Sequence, residues 1–189
     1  MPYVGQTITD VFPTSINVDT ATIATANIAN QLTDANMSAG AAVQVVNVQT
    51  GAVATGTTTV PIDDTIPQIT EGTEFMTLAI TPTSATNKLK IEVLFIGVYP
   101  ADAVIALLLF QDSTANALAS NFNWSMGTNT RNFSMYLSHF MTAGTTSATT
   151  FRIRAGGDNA GTLTFNGRGG SRSYGGTLAS SITITEIAV

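Results

Sequence analysis

Phe75-Met76-Thr77-Leu78-Ala79-Ile80, then Lys88-Leu89-Lys90-Ile91-Glu92-Val93-Leu94-Phe95 across a polar loop, then Ala103-Val104-Ile105-Ala106-Leu107-Leu108-Leu109-Phe110, decide the fold. In the first run Met76, Leu78 and Ile80 alternate with Phe75, Thr77 and Ala79. In the second, over 88–98, Leu89, Ile91, Val93 and Phe95 alternate with Lys88, Lys90 and Glu92. Period-two alternation places one set on a core face and the other towards solvent, so both runs read as strands. The third run has no alternation and reads as a strand buried on both faces; its length and the preceding Pro100 favour a strand over a helix.

Upstream, Thr57 to Ile62 is a short β-branched run ending at Pro61-Ile62, the signature of an edge or terminal strand. Before it, Ala41 to Gln49 reads as a strand with Val43, Val45 and Asn47 on one face and Val46 and Val48 on the other. Residues 1–40 differ from everything after them. They are rich in Thr, Ala and Asn, with isolated apolar residues at Val11, Phe12, Ile16, Val18, Ile23, Ile28 and Leu32 and no sustained period. A short helix over Thr25 to Leu32 is compatible with the four-residue spacing of Ile28 and Leu32. The segment is either a flexible leader or an arm ordered by lying on a neighbouring chain. The second reading makes the seven apolar residues its anchors.

Downstream, Ala117 to Trp124 is mixed and Gly127 to Thr130 is a turn. Arg131 to Met141 alternates with Phe133, Met135, Leu137, His139 and Met141 on one face. Thr149 to Ala155 alternates Phe151 and Ile153 with Arg152 and Arg154. Leu163 and Phe165 mark a short strand, Asn166-Gly167 is a tight-turn signal, and Leu178 to Ile187 is the last strand, with Leu178, Ile182 and Ile184 on one side. About nine or ten short strands at regular spacing predict an all-β, antiparallel, jelly-roll-like sandwich over 41–189, preceded by an extended arm over 1–40.

Composition bounds the function. The chain has 189 residues, enough to bury a core, and no cysteine, so neither disulfides nor thiolate chemistry are available. Charged residues are 10% of the chain, against about 25% in ordinary soluble proteins. The surface must therefore be covered by Thr, Ser, Asn, Gln and Gly, or be hidden against other chains. The strongly apolar Leu94, Ile96, Leu107 and Leu109 exceed what one small sandwich needs and are expected at a homotrimer interface. A net charge of -5 with seven Lys plus Arg argues against a nucleic-acid partner. No apolar run approaches the ~20 residues of a membrane span, and the opening Met-Pro-Tyr-Val-Gly-Gln has no signal-peptide pattern. The chain reads as a complete product made in the cytosol.

No residue set points to catalysis. The single histidine, His139, sits on an apolar strand face without a Ser or Asp pattern around it, so a packed imidazole is expected. One histidine and no cysteine exclude the usual zinc sites. Asp63-Asp64 could join an ion site, but Asp before Thr65-Ile66-Pro67 more often shapes a turn through its own side chain. The glycines at 156–157, 167, 169–170 and 175–176 lack the lysine and context of a phosphate loop and read as turn positions. Trp124, Tyr136 and Tyr174 could stack on sugar rings; packing is the blander reading of each. No cofactor is expected.

From Val45 onward the chain resembles the distal β-sandwich modules of tailed-phage fibres and tailspikes. The matching stretches include Asp63-Asp64-Thr65-Ile66-Pro67-Gln68, Glu71-Gly72-Thr73-Glu74-Phe75-Met76, Ile80-Thr81-Pro82 and Phe110-Gln111-Asp112-Ser113-Thr114-Ala115-Asn116-Ala117-Leu118. Met141-Thr142-Ala143-Gly144-Thr145-Thr146, Phe151-Arg152-Ile153-Arg154-Ala155-Gly156-Gly157 and Ala179-Ser180-Ser181-Ile182-Thr183-Ile184-Thr185-Glu186-Ile187 complete them. The resemblance implies a non-enzymatic, trimeric module on a virion surface, with no catalytic residue to carry over. Fibres normally place a shaft and an attachment domain before such a tip. The short leader seen here leads to the expectation of a capsid decoration (cement) protein that stabilises the head shell. It would sit on the outer surface of the capsid and bind the major capsid protein through its arm, with a host-surface glycan as a further partner of the exposed sandwich. The opening residues also look like those of phage fibre proteins. The alternative is a short tail fibre or receptor-binding tip held by a tail attachment protein. A sugar-binding protein unrelated to virions stands third and an enzyme fourth.

Overall fold

The computed structural model describes residues 37–125 and 131–189. The arm residues Val11, Phe12, Ile16, Val18, Ile23, Ile28 and Leu32, the Thr25–Leu32 helix and the turn at Gly127 to Thr130 lie outside the described residues.

The strands are β1 (Ala42–Thr50), β2 (Ala54–Gly56), β3 (Thr73–Ile80), β4 (Lys88–Val98), β5 (Ala103–Gln111) and β6 (Ala119–Ser125). They continue as β7 (Asn132–Thr142), β8 (Thr149–Gly157), β9 (Leu163–Phe165), β10 (Gly167–Arg168), β11 (Ser171–Arg172) and β12 (Ser180–Ile187), with a 3₁₀ turn at Tyr174–Gly176. One sheet runs β1-β12-β4, with β7 along the far side of β4 and the short β9 and β2 continuing it. The other runs β3-β8-β5-β6.

The pairing explains the architecture. β1 pairs with β12, β3 with β8, β4 with β7 and β5 with β6, every pair antiparallel. A chain folded once into a long ribbon, closed by the β5–β6 hairpin, has these four pairings in this order. Rolling the ribbon brings β12 against β4 and β8 against β5. The result is the eight-stranded jelly roll, a sandwich of two Greek keys.

Its core lies between the sheets, filled by the alternating residues. Leu89, Ile91, Val93, Phe95, Ile105, Leu107, Leu109, Phe151, Ile153, Ile182 and Ile184 are fully buried in one cluster. β5 is buried on its other face as well, as its unbroken apolar run predicts. Leu108 and Phe110 form a second small cluster with Val60, flanked by Ile69 and Ala117. The cover is the β1–β3 connection, which crosses the outer face of this sheet. Val60 N donates to Gly157 O at 2.9 Å, and Ile69 N to Ala115 O at 2.8 Å.

Three local readings are corrected. Thr57 to Ile62 is not a strand: the strand on this connection is the earlier Ala54–Gly56, and the residues after it make single backbone bonds to two different neighbours rather than a ladder. Phe75 does not face solvent. A bulge between Glu74 and Met76 makes Phe75 the extra residue in its strand, and its ring packs 5.5 Å from that of Phe95 and 5.3 Å from that of Phe165. Asn166-Gly167 does turn the chain, with Asn166 at φ 52° between β9 and β10, but the hairpin turn lies further on. That turn is Gly169-Gly170, both at positive φ (57° and 77°), between β10 and β11. Asn166 is instead fully buried: its Nδ2 donates to Thr50 O and Ala52 O, its Oδ1 accepts from Ser180 Oγ, and its N donates to Ile96 O.

Candidate functional site

The roll has two unlike ends. At one end lie the entry to β1 and the exit from β12: Gly40 N donates to Ala188 O at 2.8 Å and Ala188 N to Ala41 O at 2.9 Å. The loops 81–87, 112–118 and 143–148 share this end, because β3, β5 and β7 finish there. Its centre is the carboxylate of Glu186, a fully buried residue. Glu186 accepts from Gln44 Nε2 (2.6 Å), Thr83 N (2.9 Å), Thr83 Oγ1 (2.8 Å), Ser84 N (3.2 Å) and Asn87 Nδ2 (2.8 Å). Burial pushes its pKa up, but these donors outweigh burial and hold it below the ordinary carboxylate value. Every partner is a neutral donor, so this is a lock on a loop and not a proton-transfer pair. Sequence reading passed over Glu186, because alternation along β12 places a charged residue in the apolar row and nothing local shows its five donors.

At the other end, the hairpin β10–β11 and the 3₁₀ turn wall a cavity of about 440 Å³ with Val98 and Asn132. Arg168, Arg172, Ser171, Ser173 and Tyr174 border it, and among the described residues no acidic one does. Tyr174 is 82% exposed and sits at φ 49°, a conformation rare for an aromatic residue.

One flank of the sandwich is aromatic. β6 and β7 are edge strands of the two different sheets and run side by side; Asn121 Nδ2 donates to Tyr136 O at 2.7 Å across the gap. Phe122 and Trp124 on β6, and Tyr136 and Phe140 on β7, are all more than half exposed. Phe122 and Trp124 also wall a groove of about 290 Å³ with Ile62, Pro67, Val104 and Ala106. Leu94, the register partner of Tyr136, lies beside it on the outer face of its sheet and is 38% exposed, whereas Phe122 and Trp124, the register partners of Ala106 and Val104, lie on the outer face of the other sheet.

The four leucine and isoleucine positions expected at a subunit interface therefore separate. Leu94 is exposed and Ile96 half-buried on β4, whereas Leu107 and Leu109 are fully buried within the subunit's own core. The last two fail as interface residues because β5 is covered on one face by the opposite sheet and on the other by the β1–β3 connection. The exposed apolar surface lies instead on the aromatics of β6 and β7, and the mixed pattern of 117–124 conceals the exposure of Phe122 and Trp124.

His139 lies half-buried on the core face of β7 opposite Ile91, and burial lowers its pKa. Asp63 forms a turn: its Oδ1 accepts from Thr65 N at 2.8 Å and from Thr65 Oγ1, which lowers its pKa. Among the described residues no three His, Cys, Asp or Glu side chains gather as a metal site.

No family model matches the chain, and no curated protein matches it in sequence. Among solved structures, the Eiger TNF of S. frugiperda is similar at 13% identity and TM-score 0.40, over 76% of this chain and 93% of that one. A chain of infectious bursal disease virus Gx strain is similar at 12% identity and TM-score 0.38, over 77% of this chain. The enzymatically active domain of a bacteriophage CBA120 tailspike protein is similar at 18% identity and TM-score 0.28, over 64% of this chain. The matched region spans 36% of the viral chain and 18% of the tailspike chain. At these TM-scores the likenesses carry no functional weight.

Proposed function

We propose that the protein is a non-enzymatic structural component of a tailed-phage virion, a trimeric decoration protein of the capsid. The observation that carries the reading is the polarity of the roll. The chain enters and leaves at the Glu186 end, and the cavity of Arg168, Arg172 and Tyr174 lies at the opposite end. A segment preceding Gly40 that grips the shell thus leaves the far loops pointing outward. The arm anchors, each contributing roughly 1.5–3 kcal/mol if fully buried, do not offset an ordering cost of about 1–2 kcal/mol per residue. Strand addition to a neighbour supplies the missing hydrogen bonds, and three arms per trimer add avidity.

The exposed Phe122 and Trp124 of β6, and Tyr136 and Phe140 of β7 with Leu94, are the apolar groups from which a trimer contact would be built, since interface centres are enriched in aromatic residues. The test is a chain beginning at Ala41, mixed with shells that lack the protein. It is expected to fold and trimerise yet leave the shells bare; decoration as tight as that of the full chain would sink the reading. The second reading, a short tail fibre or receptor-binding tip, uses the same polarity with a tail attachment protein as the base. Copy number separates them: hundreds per virion on the head, a few dozen or fewer on a tail.

A further inference from the structure

We propose that the cavity at the end remote from the termini binds an acidic sugar through its carboxylate. Arg168 and Arg172 would be the anion contacts and Tyr174 the platform for the sugar ring. Two guanidinium groups stand beside one cavity in a protein of net charge -5. Elsewhere cations are engaged: Lys88 binds Thr142, Lys90 pairs with Glu92, and Arg152 and Arg154 pair with Glu74. The side chains of Arg168 and Arg172 make no hydrogen bond or ion pair with the described residues. A planar guanidinium matches a carboxylate with two parallel hydrogen bonds.

The surroundings select a sugar over a bare anion. The Tyr174 ring is exposed, and its backbone is held in the left-handed region beside Gly175 and Gly176, also at positive φ. A bulky residue in that region is strained, and such strain persists where surrounding structure enforces it, often at ligand sites. An exposed aromatic face suits the apolar side of a pyranose. The Ser171 and Ser173 hydroxyls and the Asn132 amide border the same cavity and can bond to sugar hydroxyls. The volume falls in the usual range for small-ligand sites. A nucleic acid fits poorly, since two cations neutralise few phosphates. The inference takes its setting from the outward-facing end proposed above, but the binding is a property of the isolated protein. Failure to decorate shells and failure to bind sugar are therefore separate results.

The test is calorimetric titration of the full-length protein with oligogalacturonate, polysialic acid, the methyl ester of the oligogalacturonate, and inorganic phosphate. At least one of the two acidic sugars is expected to bind, with affinity falling as salt rises, and the ester to bind at least ~10-fold more weakly. Arg168→Gln and Arg172→Gln should each weaken binding by about tenfold or more, and Tyr174→Asn, which tolerates the same φ, should weaken it without changing the salt slope. All three positions are exposed, so neither arginine change should alter thermal unfolding, and Tyr174→Asn should raise the midpoint slightly by relieving the strain at φ 49°. Binding by neither sugar, equal binding of acid and ester, phosphate binding as tight as the sugar, or full binding by the doubly substituted protein would each overturn the proposal.

Discussion

Asn87 Nδ2 donates to Glu186 Oε1 at 2.8 Å, joining the base of the β3–β4 loop to the last strand across 99 residues of sequence. The same carboxylate collects Gln44 from β1 and Thr83 and Ser84 from the loop, so one side chain ties three separate parts of the chain together. Glu186→Gln keeps the shape but turns an acceptor-only group into one that also donates. Several donors then face an NH₂ group. The expected loss is about 2–4 kcal/mol, read as a lower urea midpoint with unchanged slope.

The same group sets an acid limit. Its folded pKa lies below its unfolded value, so its stabilisation is present above roughly pH 4.3 and disappears as pH falls through the folded pKa. His139 acts in a higher window. Burial lowers its folded pKa, so its contribution is complete above about pH 6.5 and declines as the pH drops towards the folded value. Urea unfolding from pH 8 to pH 3 should show two declining limbs. His139→Gln should remove the upper limb alone and Glu186→Gln should shrink the lower, leaving the part that Asp63 and Glu92 supply; limbs unaffected by either change would refute the assignment.

The interface reading separates by face. Leu94→Glu and Trp124→Ser are expected to give folded protein that sediments as a monomer, because both side chains are exposed on the isolated subunit. Leu109→Ala should leave assembly intact and cost about 2–5 kcal/mol, because Leu109 is fully enclosed. Mass photometry beside thermal unfolding distinguishes the two behaviours.

Tyr99 is held between two glycines. A Cβ at Gly157 would lie 2.4 Å from the ring, and one at Gly161 would lie 2.6 Å from it. The ring is almost fully buried, and its hydroxyl donates to Asn159 O. Gly157→Ala and Gly161→Ala are each expected to destabilise by about 1–3 kcal/mol, and Tyr99→Leu should relieve part of the penalty in the double variants. Additive losses would show that Tyr99 is not the obstacle.

Legibility in the sequence followed period. β4 was readable to its last residue because Lys88, Lys90 and Glu92 mark one face and Leu89, Ile91, Val93 and Phe95 the other. β7 was equally plain. Phe75 was misread because a bulge shifts the face of one residue without leaving a mark in composition. Asn166-Gly167 has turn chemistry, yet Asn166 is used for its amide, which caps carbonyls from two residues far away in sequence. The β1–β3 connection was misread because Val60 and Ile69 reach their partners singly, without a period. The aromatic flank was invisible because it belongs to two strands in different sheets. The cavity with Arg168 and Arg172 was seen only as a glycine-rich loop, since a loop's sequence does not show which walls surround it.

Pairing of β1 with β12 makes the first and last strands of the roll its outermost rung. Gln44 and Glu186, 142 residues apart, meet there. Such a rung bears the largest loop-closure entropy in the molecule and forms only once the strands between have come together. The segment that enters at Gly40 is thus positioned last. On the proposed function, a chain released half-folded would have no defined base from which to reach a neighbour, and subunits would join only after each is finished.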